Sequence, residues 1–113
     1  MIRLSYLSQA SQEFADAELN AFLEECRARN RACGITGVLY YGNGMFLQVL
    51  EGPQEAVEQT FKRIRKDRRH HDIHLIEKIP VSQRRFGEFN LAFSRLSDED
   101  FQSVAQSFGV VNC

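Results

Sequence analysis

The stretch Ile35 to Gly52, ITGVLYYGNGMFLQVLEG, decides how this chain folds. Two apolar runs, ITGVLYY and MFLQVLEG, flank Gly42-Asn43-Gly44. Glycine and asparagine tolerate positive φ, so the short linker is a tight turn and the runs are paired strands. In the second run Phe46, Gln48 and Leu50 face one way, and Leu47 and Val49 the other. Both sets are apolar except for Gln48, so both faces of the sheet are expected to be covered. A primary amide buried there without partners costs roughly 2–7 kcal/mol. Gln48 therefore needs a reason.

Outward from the hairpin, the pattern of elements is regular. MIRLSYLS alternates as a first strand, with Ile2, Leu4, Tyr6 and Leu7 apolar. A helix starts near Asp16 and carries Leu19, Phe22, Leu23 and Cys26 at helical spacing, with Asn30 on the same stripe. Gly34 ends it. Pro53 suits the start of a second helix, whose stripe is Val57, Phe61 and Ile64. IHLIEKIPV and FNLAFSRL read as strands four and five. Ser97, followed by Asp98, Glu99 and Asp100, opens a last helix with Phe101, Val104, Ala105 and Phe108 on one side. This order predicts an α+β, ferredoxin-like βαββαββ sheet, with two helices on one face and a short C-terminal helix. Strands one and three are then central neighbours. The terminal helix or a second subunit covers the other face, which makes a homodimer an expectation. Residues 1–95 form the main domain and 96–113 a helical tail.

Composition narrows the function classes. A chain of 113 residues holds one domain, with 43% hydrophobic and 26% charged residues. A net charge of −1 gives no overall pull toward nucleic acid or membrane. Cys26, Cys33 and Cys113 are odd in number and lack CxxC spacing, which argues against a disulfide framework or zinc site. No leader or membrane-spanning run is expected, and a reducing cytoplasm is the expected home.

Several polar residues converge on one core. Tyr6 lies on the neighbouring central strand, Asn30 interrupts the first helix's apolar stripe, and Arg63 and Asp67 are i, i+4 at the edge of the second. Two readings stay open at this level. One is a polar network that fixes register. The other is a planar ligand between the two helices, rich in donors and acceptors along one edge.

The stretches RLSYLS, NRACGITGVLYY, GMFLQVLEGP, VEQTFKRIRKDRRHH and RRFGEFNLAF, in this order, resemble the BLUF domain, a family of blue-light sensors that bind a flavin. The resemblance implies FAD as cofactor, with FMN the alternative. It implies that Tyr6 donates an electron to the excited flavin and that Gln48 sits between that tyrosine and the flavin's N5 and O4 edge. Asn30 bonds the pyrimidine end, Arg63 lies near the C2 carbonyl and Asp67 is close by. Arg69 and His70 help with the ribityl or phosphate tail, and Ile35 and Ile64 line the ring. It also implies signalling, without turnover, to a partner protein not identified by the sequence.

Departures from the family pattern matter. FNL stands where WSM is frequent, so Phe89 and Leu91 occupy the signal-output positions. Arg29 stands where a second asparagine is frequent. The chain has no tryptophan to compete as electron donor. Cys26 reads as a small core hydrophobe, and a metal at His70 to His74 is disfavoured because the helical i, i+4 geometry is expected to break before His74. A nucleic-acid sheet and a phosphatase-like loop are disfavoured by the aromatic pattern and the missing glycine loop. The alternative function is a ligand-free interaction module in which Gln48 and Asn30 are structural amides.

Overall fold

The computed structural model describes residues 1–109. Residues 110–113, Cys113 among them, lie outside the described residues. The elements are β1 (Ile2–Ala10), α1 (Asp16–Cys33), β2 (Thr36–Gly42), β3 (Met45–Gly52), α2 (Gln54–Arg65), β4 (His70–Pro80), β5 (Ala92–Arg95) and α3 (Asp98–Ser107). They build one sheet in the order β4-β1-β3-β2-β5. The pairs β4–β1, β1–β3 and β3–β2 are antiparallel, and β5 joins β2 in parallel. The expected ferredoxin-like architecture is present, with β1 and β3 as neighbours.

Local chemistry sets the boundaries. Asn43 and Gly44 take φ of 52° and 66°, closing the hairpin as the glycine-asparagine turn demands. Gly34 ends α1 at φ 70°, where a side chain would be strained, and its N–H returns to Arg31 and Asn30 carbonyls. The Ser97 hydroxyl accepts from the Asp100 N–H and starts α3.

The apolar residues sort by sheet face. On one face, Val57 and Phe61 of α2 pack on Ile2, Leu4, Tyr6 and Leu50. Leu19 and Leu23 of α1 pack on Leu39, Tyr41 and Phe46. On the opposite face, Phe101 and Ala105 of α3 cover Leu7 and Leu47. Because α3 fills this role, a bare back face no longer argues for a second copy. The front side contains two separate clusters, one under each helix. Gln48 sits on β3 between Phe46 of one cluster and Leu50 of the other.

Strand one runs on to Ala10 and strand five is confined to Ala92–Arg95, and two boundaries beside the site also differ from the sequence expectation. Strand four begins at His70 rather than Ile73, so His70 to His74 lie on a strand. Helix α2 ends at Arg65, so Asp67 falls beyond it and the i, i+4 relation to Arg63 does not form.

Candidate flavin site

The gap between the two front clusters is a cleft. Its floor is Tyr6 of β1, Leu39 of β2, and Phe46 and Gln48 of β3. Phe22, Cys26, Arg29 and Asn30 of α1 form one wall, and Thr60, Arg63 and Ile64 of α2, with Asp67, Arg69 and His70, form the other. Including its mouth, the cleft holds about 640 Å³ free of protein atoms. At the mouth, the Arg69 guanidinium lies 4.3 Å over the Phe22 ring.

Register brings the two central residues together. Tyr6 and Gln48 are directly opposite on β1 and β3. The phenol hydroxyl donates to Gln48 Oε1 at 2.5 Å. Burial, with Cys26 and Asp67 nearby, pushes the Tyr6 phenol well above its ordinary range, so it stays protonated and remains the donor. The amide orientation follows: Oε1 faces Tyr6, and Nε2 has no protein partner among the described residues. Gln48 is 6% exposed.

Asn30 repeats the pattern with the opposite polarity. It is 3% exposed, and its Nδ2 donates to the Asn90 carbonyl at 2.8 Å. Oδ1 has no protein partner among the described residues. The floor and wall thus offer one unspent amide donor and one unspent amide acceptor, both on buried side chains. Neither atom is sealed off, since Ser5 Oγ is the one fully buried side-chain polar atom without a partner among the described residues; both residues line the cleft, where a flat heteroaromatic edge carrying acceptor atoms and an N–H would satisfy both amides. The residues fit a flavin.

The charged wall is arranged differently from expectation. Asp67 takes a bidentate pair from Arg69, with Nε donating to Oδ1 at 3.0 Å and Nη2 donating to Oδ2 at 2.6 Å. This pair holds the Asp67 carboxyl below its ordinary range. Arg63 lines the cleft with no ion-pair partner among the described residues. His70 lines it too, but both ring nitrogens are taken, by Ser8 Oγ and the Ile64 carbonyl, each at 2.7 Å. The carbonyl can only accept, so Nε2 carries a hydrogen. Ile64 lines the cleft; Ile35 is instead fully buried in the cluster with Leu50 and Val57. Phe89 is 57% exposed, while Leu91 is buried among Leu19, Leu23 and Leu39.

Sequence reasoning missed two residues. Cys26 is a cleft wall rather than only core, and burial pushes its thiol up to about 11. Glu51 is fully buried on β3 and its carboxylate accepts from Arg3 Nε and from the Arg85 and Phe86 N–H groups. Burial would raise its pKa, but those donors outweigh burial and hold it below its ordinary value. A charged residue inside an apolar strand was the available signal.

The sequence signature of sensors of blue-light using FAD, BLUF, matches residues 1–92. The chain belongs to the BLUF family. It is 37% identical over 83 residues to the photoactivated adenylate cyclase subunit beta of Euglena longa, covering 74% of this chain and 10% of that protein. The chain thus spans about a tenth of that curated relative. Among solved structures, the BlsA ground state superposes with a TM-score of 0.81 at 33% identity, covering 96% of this chain and 72% of that one. BlrP1 of Klebsiella pneumoniae, with FMN and cyclic diGMP, superposes with a TM-score of 0.78 at 30% identity, over 95% of this chain and 30% of that one. This BLUF chain thus shares its fold with BlsA and with BlrP1, and the BlrP1 structure holds FMN.

Proposed function

We propose that this BLUF protein is a blue-light photoreceptor whose signal is a rearranged hydrogen-bond pattern at Gln48. The observation that carries the reading is the Tyr6–Gln48 bond at the base of a cleft lined by unspent amide groups. A flavin bound there, FAD or FMN, supplies a strong oxidant when excited by blue light. Tyr6 is the oxidisable side chain on the floor. On losing an electron its phenol becomes a strong acid, and the proton leaves along the short bond to Gln48 Oε1. Gln48 relays it because one amide both accepts and donates. When electron and proton return to Tyr6, the Gln48 amide would be left rotated or in its imidic form, with its hydrogen bonds to the bound flavin rearranged.

The neighbouring residues have supporting tasks. With a flavin bound, Asn30 Oδ1 would be the acceptor for a ring N–H. Arg63 offers its guanidinium to a carbonyl, and Ile64 supplies an apolar contact. Asp67 positions Arg69 at the mouth, and His70 welds β4 to β1 and to the end of α2. Asn30 also bonds Asn90, in the segment that carries Phe89 and Leu91 into β5. That segment is the output, read by a partner protein or a second copy, and no substrate is turned over.

A light-minus-dark absorption spectrum of the purified protein tests the reading. The expected protein is yellow and shows a reversible red shift. Flavin at about a hundredfold above its dissociation constant should add about 2.7 kcal/mol of stability. Protein that stays colourless after flavin addition favours the ligand-free interaction module.

A further inference from the structure

Three arginines reach the cleft wall, and the anions near them are arranged unevenly. Arg69 is committed to Asp67. Arg29 pairs with Glu25 at 2.8 Å, and Arg69 Nη1 lies 3.8 Å from the other oxygen of the same glutamate. Arg63 has no ion-pair partner among the described residues. Glu25 is not itself part of the cleft wall, whereas Arg29 is. The cations thus face the cleft while one of their counter-charges stands behind them.

We propose that the Arg29–Glu25 pair sets the reduction potential of the bound flavin, with Arg29 raising it and Glu25 damping the effect. The proposal rests on the flavin reading above. Reduction adds negative charge to a ring that is neutral when oxidised. A cation at the wall stabilises the charged form more than the neutral one, and charge beside the ring is one of the protein's main controls over a flavin. Screening limits the effect, because the Arg29 and Glu25 side chains are each 47% exposed. Removing Glu25 leaves Arg29 uncompensated. A reduced flavin cannot take an electron from Tyr6, so the pair also sets what share of the protein is competent to respond to light in a reducing compartment.

The test is a dark spectroelectrochemical titration of the flavin-loaded full chain as wild type, Arg29→Asn, Arg29→Lys and Glu25→Gln. Arg29→Asn should weaken binding of reduced relative to oxidised flavin about tenfold, a drop of about 30 mV for the two-electron couple. Arg29→Lys should stay near wild type, because it keeps the charge. Glu25→Gln should move the potential upward. An unchanged potential in Arg29→Asn, or equal drops in the Asn and Lys variants, overturns the proposal while leaving the flavin reading intact. A wild-type chain that retains no flavin overturns both.

Discussion

The Asn30 side chain donates to the Asn90 carbonyl at 2.8 Å, and the Asn90 side chain donates to the Ile35 carbonyl at 3.1 Å. One amide on α1 therefore lines the cleft and holds, through its nitrogen, the segment that leads into β5. Gly37 N–H to the Phe89 carbonyl and Arg27 Nε to the Leu91 carbonyl tie the same segment down on either side.

Replacing Asn30 by alanine should hurt both ends of this link. Flavin affinity should fall about tenfold, the worth of one buried hydrogen bond. Amide hydrogen exchange across residues 89–95 should speed up in the same variant. Weaker binding without faster exchange would show that the segment is held by its other tethers.

Tyr6→Phe should retain flavin and lose the reversible red shift. The ring still packs on Phe61, whose centroid lies 5.6 Å away, so the fold survives. Leaving Gln48 Oε1 without its donor should cost about 1–3 kcal/mol. Transient absorption checks the photochemistry; a variant that still switches would refute Tyr6 as the donor.

Glu51→Gln should destabilise the protein by about 3 kcal/mol in chemical unfolding, since Arg3 loses its buried counter-charge. The pH dependence has a definite sign. The Glu51 carboxyl is depressed when folded, so its contribution is present above the ordinary glutamate value and is lost as pH falls through the folded value. Wild type should therefore lose stability more steeply than the variant on acidification.

The two cysteines within the described residues should react differently with an alkylating reagent. Cys33 is exposed and Cys26 half-buried. With its thiol pushed up to about 11, Cys26 holds little thiolate near neutral pH. Mass spectrometry should find Cys33 modified first, and flavin should slow Cys26 further while leaving Cys33 unchanged. Equal rates at both sites would contradict the cleft position of Cys26.

Local signals in the sequence were enough for most of the fold. The limits of β3, the αL stop at Gly34, the Ser97 cap and the burial of Asn30 follow from period, turn chemistry and capping, all of which act over a few residues. The alternation of strand three put Gln48 on the same face as Phe46 and Leu50 but left open whether the two helices or the opposite cover met that face. What those signals could not reach was which distant group each polar atom would meet. The Arg69–Asp67 pair replaced the expected Arg63 relation because α2 stops at Arg65. His70 spends both nitrogens on Ser8 and Ile64, Ile35 goes to the core, and Glu51 clamps the segment at Arg85 and Phe86. These choices join elements far apart in the chain, and no spacing encodes them. By itself, then, the sequence determined a covered sheet with one amide out of place, because periodicity and turns are local physics. Only the tertiary structure decided that this amide meets Tyr6 across β1 and β3 and keeps its nitrogen for the cleft, because strand register and the pairing of buried polar atoms are settled only when the elements pack.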